Sequence, residues 1–385
     1  MRVILISTEF PPGPGGIATH AYELARYLSR EHELSVFTSQ DYTNRSSITE
    51  FNIQQTFRVH SSGTKISLMG RAFWDARKAS PEKTVGIATG TRALQAASLI
   101  FGQHIPWIAV IHGHELLDRT FFEKRRILHA LSMAKHIVCV SNYARHNIQG
   151  VATFHQPISV VLNGADMSRF RPLDSTTKDH VRASLGWRSP TMVTLGRICD
   201  RKGQETVIRL LPEIKKQVPN VRYAMIGLPE IAPRLIELAE HLGVKANIEI
   251  HSGLDGHHVA KILGAADLHI LLSKQASGSE VEGFGIVVLE AAACAIPSVV
   301  SDHGGLPEAV CGGNIGWIAP SNDLHASAQI ISKCLLDDQS RKHMGQHAET
   351  WVRKNATWDI VGQKFDSFLK NMLQNNTPNA MRKSA

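Results

Sequence analysis

Cysteine is scarce in this chain of 385 residues, which holds five. The five are odd in number, lie far apart and form no C-x-x-C pair, which argues against a disulfide framework and a zinc site and for a reducing cytosol. No window holds about 18 uninterrupted apolar residues, so we expect no transmembrane helix. The first apolar run is too short for a signal peptide and lacks a small-residue cleavage site. These absences predict a cytoplasmic protein.

Signatures of several common sites are missing as well. The segment PPGPGGIATH at residues 11–20 lacks the G-x-G-x-x-G spacing, and no acidic residue follows a second strand as a dinucleotide fingerprint requires. This disfavours a nicotinamide-dependent oxidoreductase. The stretch HGHE at residues 112–115 is not a helical H-E-x-x-H and gives no indication of zinc. Basic residues are not interleaved with aromatic ones, so nucleic acid is not an expected partner.

The composition is that of a folded protein with an uneven distribution of charge. Hydrophobic residues make up 43% and charged residues 20%, which at this length is typical of a soluble protein of two domains. Of the formal net charge of +8, residues 1–173 contribute 19 basic and 12 acidic residues, and residues 174–385 contribute 23 and 22. The basic half indicates an anionic partner, a membrane surface or a phosphorylated substrate, unless the excess is only a solvated surface.

Short apolar segments alternate with longer amphipathic ones along the whole chain. Strands are predicted at residues 2–7, 34–38, 84–88, 107–112, 136–141 and 160–163, and again at 191–195, 222–226, 247–251, 267–272, 297–300 and 316–319. Helical patterns lie between them, at 18–30, 204–217, 231–242 and 324–335 among others. Near-continuous apolar strands alternating with helices predict parallel sheets covered on both faces. The predicted fold class is α/β, with two doubly wound, Rossmann-like domains facing across a cleft.

The domain boundary is predicted in the polar stretch at residues 164–178. We expect an N-terminal domain over residues 1–173 and a C-terminal domain over 174–355. A terminal helix is predicted over 356–375 and a flexible tail over 376–385. Ligands of such sheets bind beyond the carboxyl ends of the strands, so functional residues are expected in the loops that follow strands.

The strongest motif is EGFGIVVLE at residues 282–290. Gly283 and Gly285 break the loop before an apolar helix, whose free N–H groups suit a phosphate. Glu290 lies in this helix, where an unpaired carboxylate is costly and the two hydroxyls of a ribose are suitable partners. Glu282 would face another group of the same ligand, so the spacing fits a nucleotide diphosphate sugar. The alternative is a buried structural glutamate paired with lysine or arginine.

A second motif, GRICDRKG at residues 196–203, follows the first strand of the second series. Arg197 and Lys202 stand at the carboxyl end of that strand, where two cations can neutralise a diphosphate and stabilise a departing phosphate. Arg201 is expected to be solvated. The alternative is a pair of surface cations in a turn.

Two loops of the first domain are weaker candidates. Gly15 and Gly16 let the backbone approach a ligand closely. His112 follows the strand WIAVI, where an imidazole can hydrogen-bond a sugar hydroxyl or a reacting oxygen. For His114 and Glu115, a solvated position in the loop is an equal alternative.

Taken in this order, the motifs resemble those of the retaining GT-B glycosyltransferases of family four, the glycosyl transferases of group 1. The resemblance covers nearly the whole chain and rests on six short segments. These are Gly-Gly-Ile at 15–17, the His112 loop, N-G-x-D-x3-F-x-P at 163–172, G-R-x4-K-G at 196–203, E-x7-E at 282–290 and G-G-x-P-E at 304–308. Ala165 stands where the family usually has valine, and the long loop at residues 273–281 predicts an unusual or mobile donor-sugar pocket.

The resemblance implies transfer of a hexose from a nucleotide diphosphate sugar to a hydroxyl acceptor, with retention at the anomeric carbon, in the synthesis of a cell-surface polysaccharide or glycolipid. It assigns the donor to the C-terminal domain and the acceptor to the N-terminal one. The catalytic residues that it implies are Glu282, Arg197, Lys202 and His112. The donor contacts that it implies are Glu290 for the ribose, Arg197 and Lys202 for the diphosphate, Glu282 for the hexose, the backbone of Phe284, Gly285, Ile286 and Val287, and Gly16 near the phosphates.

No metal and no cofactor are expected. The chain lacks the D-x-D triplet with which sugar transferases of another fold hold a divalent ion, and Arg197, Lys202 and a helix N-terminus can supply the counter-charge instead. Other functions stay open: a nucleotide-sugar epimerase of the same fold, or a non-catalytic nucleotide-sugar-binding protein. A phosphorylase would need a pyridoxal phosphate lysine, and nothing in the sequence marks one.

The basic excess also predicts peripheral attachment to the inner face of the membrane. Residues 68–78, LMGRAFWDARK, place Met69 and Phe73 four apart on a helix with three cations around the other face. A second basic cluster, residues 124–126, follows Phe121 and Phe122. Apolar residues beside cations suit an anionic lipid surface and a lipid-linked acceptor, whereas the alternative is an ordinary amphipathic helix packed on its own core.

Overall fold

A computed structural model describes residues 1–39, 51–62, 65–188, 190–274 and 281–376. The chain forms two compact units: unit 1 comprises Met1–Asn163 with Trp358–Ala385, and unit 2 comprises Gly164–Thr357. Among the described residues, no helix has both the length and the apolar character needed to cross a bilayer. The predicted tail lies outside the described residues from residue 377 onward, as does most of the long loop, residues 275–280.

Unit 1 contains a parallel sheet of seven strands in the order β3-β2-β1-β4-β5-β6-β7. The strands are β1 (Arg2–Ser7), β2 (Glu33–Ser39), β3 (Arg58–Ser62), β4 (Thr84–Thr89), β5 (Trp107–Ile111), β6 (His136–Cys139) and β7 (Ile158–Val160). The helices between them are α1 (Gly16–Leu28), α2 (Lys65–Lys78), α3 (Thr91–Ile100), α4 (Phe121–Met133) and α5 (Asn142–Gln149). Strands β4 and β5 are buried at every position, because helices cover both faces of the sheet.

Unit 2 repeats this plan with six parallel strands in the order β10-β9-β8-β11-β12-β13. The strands are β8 (Thr191–Leu195), β9 (Arg222–Ile226), β10 (Ile248–His251), β11 (Leu268–Leu271), β12 (Ser298–Ser301) and β13 (Gly316–Ala319). The helices are α6 (Ser175–Ser184), α7 (Gln204–Gln217), α8 (Ala232–His241), α9 (Gly256–Ala265), α10 (Ile286–Ala293), α11 (Leu306–Ala309), α12 (Leu324–Leu336) and α13 (Asp338–Asn355). Two parallel, doubly wound sheets confirm the predicted fold class.

The sequence did not predict strand β3, and it placed β7 two residues too far along the chain. Segment β3 reads RVHSS and pairs only with β2, at the edge of the sheet. An edge strand buries few side chains, and here Val59 is buried while His60 stacks on Phe37 with ring centroids 4.8 Å apart. A polar edge strand therefore lacks the apolar run by which the other strands are recognised.

The boundary between the units lies at Asn163–Gly164, at the start of the predicted stretch 164–178 and before residue 173, where the N-terminal domain was predicted to end. The backbone N–H of Ala165 donates to the carbonyl of Ala356, at 2.9 Å, and the Phe170 side chain is buried. Leu173 packs against Gly264 of α9. These contacts attach the stretch to unit 2, and its polar sequence gives no indication of them.

Helix α14 (Trp358–Asn376) follows unit 2 in sequence but packs on α1, in unit 1. Its buried residues Trp358, Val361, Phe365 and Leu369 recur at the three- and four-residue spacing of one helix face. The Tyr27 ring of α1 lies against Gly362, so closely that a Cβ at that glycine would be 2.1 Å from it. The helix is therefore an integral part of the unit 1 core.

Candidate functional site

In unit 2 the strand order reverses direction between β8 and β11. Loops that leave neighbouring strands on either side of such a reversal diverge and open a crevice, where ligands of doubly wound sheets bind. The loop after β8 contains residues 196–203, and the segment after β11 leads to Glu282 and then to α10. The two strongest sequence motifs therefore lie at the same point of the sheet.

Three charged side chains meet at this point. The Lys202 ammonium donates to Oε2 of Glu282 at 2.7 Å, and a guanidinium nitrogen of Arg201 donates to the same oxygen at 2.5 Å. All three side chains are nearly buried, with 10% to 14% of their surface exposed. We call these residues the Glu282 cluster. The expectation that Arg201 is solvated is wrong, because the short helical turn at Asp200–Lys202 directs both cations towards the carboxylate.

The cluster keeps Glu282 charged. Burial by itself raises the pKa of this carboxyl group, but the charges of Lys202 and Arg201 outweigh burial and lower the pKa to about 2. Beneath the cluster, His269 of β11 is fully buried. Burial, and then the charge of Lys202, lower the pKa of His269 to about 3, so the imidazole stays neutral and adds no charge to the site.

Glycines fix the backbone on both sides of the cluster. Gly203 has a φ of +75°, and a Cβ there would lie 1.9 Å from the carbonyl oxygen of Leu272, at the end of β11. Gly305 donates its N–H to the Glu282 carbonyl at 2.9 Å, and a Cβ on Gly305 would lie 2.0 Å from the Gly283 carbonyl oxygen. The G-G-x-P-E turn therefore holds the loop that carries Glu282, a role that its sequence alone did not reveal.

Helix α10 begins directly after Gly285, whose φ of +93° turns the loop into the helix. Phe284, Gly285 and Ile286 are buried, while Val287 and Glu290 are partly exposed. Residues three apart share a helix face, so Val287 and Glu290 form one accessible stripe on an otherwise apolar helix. This is the arrangement expected if the helix start and Glu290 contact one ligand.

Arg197 differs from Lys202 in its surroundings. Its side chain is 42% exposed and pairs with Glu230 at 3.4 Å, away from the Glu282 cluster. Its backbone carbonyl accepts a hydrogen bond at 3.0 Å from the buried side-chain amide of Gln204, the first residue of α7. The two cations of the G-R-x4-K-G motif thus lie in different environments: Lys202 is nearly buried and Arg197 is exposed.

In unit 1 the corresponding reversal lies between β1 and β4. Gly15 has a φ of +149°, a backbone conformation that residues with a Cβ rarely adopt, so the turn into α1 favours glycine. Gly16, the predicted ligand contact, is the exposed first residue of α1. The glycine-rich loop and the end of β4 flank this reversal, and His112 follows the next strand, β5.

His112 is buried and held on two sides. Its Nε2 lies 2.7 Å from the hydroxyl of Thr89, the last residue of β4. The Glu115 carboxylate accepts the backbone N–H of His112 at 2.7 Å and that of Gly113 at 2.8 Å. Glu115 is 1% exposed, so the solvated alternative does not hold for it, whereas His114 is partly exposed. By accepting both N–H groups, the Glu115 carboxylate fixes the conformation of the loop that contains His112.

His20 of α1 joins this loop to helix α14. Its ring lies 5.2 Å from that of His112, 5.7 Å from Trp358 and 5.9 Å from Phe365, centroid to centroid and near perpendicular in each case. Burial lowers the pKa of His20 to about 4. Burial, followed by electrostatic repulsion from His20 and His114, lowers the pKa of His112 well below its usual value, so the His112 and His20 rings are both neutral near pH 7. Sequence reasoning missed His20 and Thr89; a polar residue ending the apolar strand TVGIAT was the only signal for Thr89.

The buried His20 makes stability depend on pH. Its pKa is about 4 in the folded chain and 6.5 when exposed, so the unfolded state binds more protons between these values. The stabilisation is complete above pH 6.5 and is lost as the pH falls, by about 2 kcal/mol at pH 5. Thermal denaturation between pH 7 and pH 5 should show a shallower decline for His20→Phe than for the wild type. Equal declines would contradict this reading of the ring.

Two family models match the chain. The model of glycosyltransferase family 4 matches residues 14–169, and the model of glycosyl transferases group 1 matches residues 177–351. Together they cover most of the two units. The Glu282 cluster and α10 lie within the second match, and the His112 loop lies within the first.

Two mannosyltransferases among the curated relatives align over nearly their whole length. A GDP-mannose-dependent alpha-(1-6)-phosphatidylinositol monomannoside mannosyltransferase of Mycolicibacterium smegmatis is 27% identical over 389 residues, spanning 95% of this chain and 98% of that protein. A GDP-mannose-dependent monoacylated alpha-(1-6)-phosphatidylinositol monomannoside mannosyltransferase of Corynebacterium glutamicum is 22% identical, spanning 96% and 98%.

Solved structures share the fold. Anabaena HepE in complex with UDP-glucose matches with a TM-score of 0.81 at 18% identity, covering 96% of this chain and 100% of that one. Sucrose-phosphate synthase of Thermosynechococcus elongatus matches with a TM-score of 0.78 at 18% identity, covering 97% and 100%. With both halves matched by the family models and the fold shared over the whole length, the chain belongs to the GT-B glycosyltransferases of family four, the glycosyl transferases of group 1.

Proposed function

We propose that this glycosyltransferase moves a mannosyl residue from GDP-mannose to a hydroxyl of a phosphatidylinositol-type glycolipid, with retention at the anomeric carbon. The observation that carries the proposal of a sugar-nucleotide donor is the Glu282 cluster beside the start of α10, at the strand reversal of unit 2. The names of relatives that align over almost their full length support the choice of GDP-mannose and of a lipid acceptor.

Each donor contact in the proposal matches the chemistry of a side chain at the site. Lys202, with Arg197, neutralises the diphosphate, and the free N–H groups at the start of α10 add to it. Glu290, on the accessible stripe of α10, accepts the ribose hydroxyls, and Glu282 accepts hydroxyls of the transferred sugar. For unit 1 we propose that Gly16 contacts the phosphates and that the neutral His112 contacts the sugar near the reacting carbon.

The proposed reaction needs no enzyme nucleophile. As the bond between the anomeric carbon and the diphosphate oxygen breaks, the acceptor oxygen bonds to that carbon from the same face. The departing phosphate oxygen takes the proton of the acceptor hydroxyl. Lys202 and the start of α10 stabilise the negative charge that develops on the diphosphate, which is where electrostatic catalysis has its largest effect.

A donor and acceptor assay tests the function. The purified chain is incubated with GDP-mannose, UDP-glucose or ADP-glucose, with and without a phosphatidylinositol mannoside, and the product linkage is determined by NMR. We expect a mannolipid of α configuration from GDP-mannose alone. An epimerised sugar nucleotide without acceptor would indicate an epimerase, and binding without turnover of any donor would indicate a non-catalytic binding protein.

Transfer is expected to be independent of divalent metal. The positive charges of Lys202 and Arg197 and the helix start supply the counter-charge that Mg²⁺ gives other transferases. Initial rates should therefore be equal with and without an excess of EDTA. A complete loss of transfer in EDTA that Mn²⁺ or Mg²⁺ restores would contradict the prediction.

We also propose that unit 1 binds the surface of an anionic membrane. Helices α2 and α4 both pack against α3, and they present exposed aromatic rings: Trp74 is 65% exposed, and Phe121 and Phe122 are each 72% exposed. Exposed cations accompany these rings. The resulting aromatic-basic face consists of Trp74, Arg71, Arg77 and Lys78 of α2 and Phe121, Phe122, Arg125 and Arg126 of α4.

Vesicle co-sedimentation tests this surface. Each cation near an anionic bilayer contributes about 1 kcal/mol, and the attraction is screened by salt. Binding should need anionic lipid, weaken between low and physiological salt, and fall several-fold in the double variant Phe121→Ser, Phe122→Ser. Leu336→Ser, which removes an exposed leucine of unit 2, is the matched control and should bind like the wild type. Equal, negligible sedimentation with anionic and neutral vesicles would show that the face is an ordinary solvated surface.

A further inference from the structure

In the Glu282 cluster, two cations share one carboxylate group. One carboxylate oxygen accepts hydrogen bonds from both Lys202 and Arg201, and all three side chains are almost withdrawn from water. At this low solvent exposure, the attraction between the two cations and an anion is weakly screened. The Lys202 ammonium is thus already paired with Glu282, although the proposed donor site uses the same ammonium group.

Close packing and a backbone hydrogen bond hold the segments that carry Lys202 and Glu282. The Lys202 side chain runs along Gly196, where a Cβ would be 3.5 Å from its Cε, and the peptide of Gly203 lies against the end of β11. On the other side, the Gly305 N–H holds the Glu282 carbonyl. Both partners therefore stay within reach, and a diphosphate that binds Lys202 must compete with the Glu282 carboxylate for it.

We propose, on the basis of the donor site assigned above, that Glu282 is an internal counter-ion that competes with the nucleoside diphosphate for Lys202 and Arg201. An intact donor compensates for the lost ion pairs, because its sugar hydroxyls donate hydrogen bonds to the released carboxylate. The nucleoside diphosphate product lacks the transferred sugar and its hydroxyls. The carboxylate therefore pairs with the two cations again, which favours product release. Glu282 thereby sets the preference of the site for substrate over product, and Arg201 is a diphosphate contact in addition to Lys202 and Arg197.

The competition makes a prediction opposite to that of a simple binding contact. Removing the charge of Glu282 should tighten binding of the nucleoside diphosphate while it removes the hydrogen bonds to the sugar. A glutamate that only contacts the sugar would leave binding of the nucleoside diphosphate unchanged. A glutamate that only supports the fold would weaken binding of both ligands.

Calorimetry on the full chain tests the proposal with GDP and GDP-mannose. In Glu282→Gln, GDP should bind about tenfold more tightly than in the wild type, and the ratio of GDP-mannose to GDP affinity should fall because the hydrogen bonds to the sugar are weakened. The matched control is Glu249→Gln, which neutralises a partly buried carboxylate of the same unit paired with Arg222 and Trp187 on another part of the sheet. It should leave both affinities unchanged.

Further variants separate the outcomes. Should Glu282→Gln fail to fold, as judged by its thermal transition, Glu282→Asp shortens the carboxylate and should tighten GDP binding by a smaller factor. Arg201→Gln should weaken GDP binding several-fold, and Arg201→Lys should restore it. GDP affinity that does not rise in either Glu282 variant overturns the proposal while the donor site stands. A wild-type chain that binds none of GDP, UDP and ADP overturns both.

Discussion

Replacing Lys202 with alanine should lower kcat/KM about 100-fold. The ammonium group is nearly buried, and the loss of a charge-assisted contact of this kind costs about 1.5–3 kcal/mol. The contact strengthens as negative charge develops on the leaving diphosphate, so kcat should fall as well as the affinity for donor. Steady-state kinetics with GDP-mannose, or with whichever sugar nucleotide is turned over, measures both quantities.

Other cations serve as references for this result. Lys245→Ala removes an exposed lysine that pairs with Glu240 and should change kcat/KM little, because surface ion pairs contribute about 0–1 kcal/mol. Arg197→Ala should fall between the two, since that side chain is partly exposed in the free enzyme. Glu290→Ala should mainly raise the KM for donor. Near wild-type kcat/KM in both Lys202→Ala and Arg197→Ala would show that the donor site is wrongly assigned.

A single methyl group at Gly203 should be severely destabilising. The positive φ of +75° strains any other residue by about 1–2 kcal/mol, and the new Cβ would lie 1.9 Å from the Leu272 carbonyl oxygen. Because that oxygen belongs to the backbone, the loop after β8 must move and carry Lys202 with it. We expect Gly203→Ala to lose more than about 3 kcal/mol of stability, a fall in thermal midpoint of at least about 6 °C, and most of its activity.

Gly243 offers a matched control within the same unit. Its φ is +67°, nearly that of Gly203, but a Cβ there would meet nothing within 4 Å. Gly243→Ala therefore carries the backbone strain without the collision and should cost only about 1–2 kcal/mol, with activity retained. Similar losses in the two variants would mean that φ strain, and not the approach to Leu272, explains the need for glycine at position 203.

Strands could be predicted where both of their faces are buried, because such strands appear in the sequence as continuous apolar runs. Strands β8 and β9 begin and end where their apolar runs predicted, because nearly all of their residues are buried. The edge strand β3 and the attachment of residues 164–173 could not be predicted in this way. Both depend on contacts with distant segments, such as Ala165 with Ala356, which leave no local pattern.

The sequence identified Lys202 and Glu282 as candidate site residues, but it did not show how their side chains are arranged. Lys202 and Glu282 are 80 positions apart, and each was identified from its own motif. Nothing in either motif specifies that the two side chains pair directly, because their separation is set by how the loops after β8 and β11 pack. Arg201 was misjudged for the same reason: its burial follows from the turn at Gly203 and the position of Glu282, and not from its neighbours in sequence.

The aromatic contacts of helix α14 determine the order in which the chain can fold during synthesis. Unit 2 is one continuous stretch, Gly164–Thr357, so it is complete in sequence before residue 358 is translated. Unit 1 is not, because His20 is covered by Trp358 and Phe365, which are translated after the whole of unit 2. The N-terminal segment of unit 1 is therefore translated before unit 2, but its core can be completed only after unit 2 has been translated.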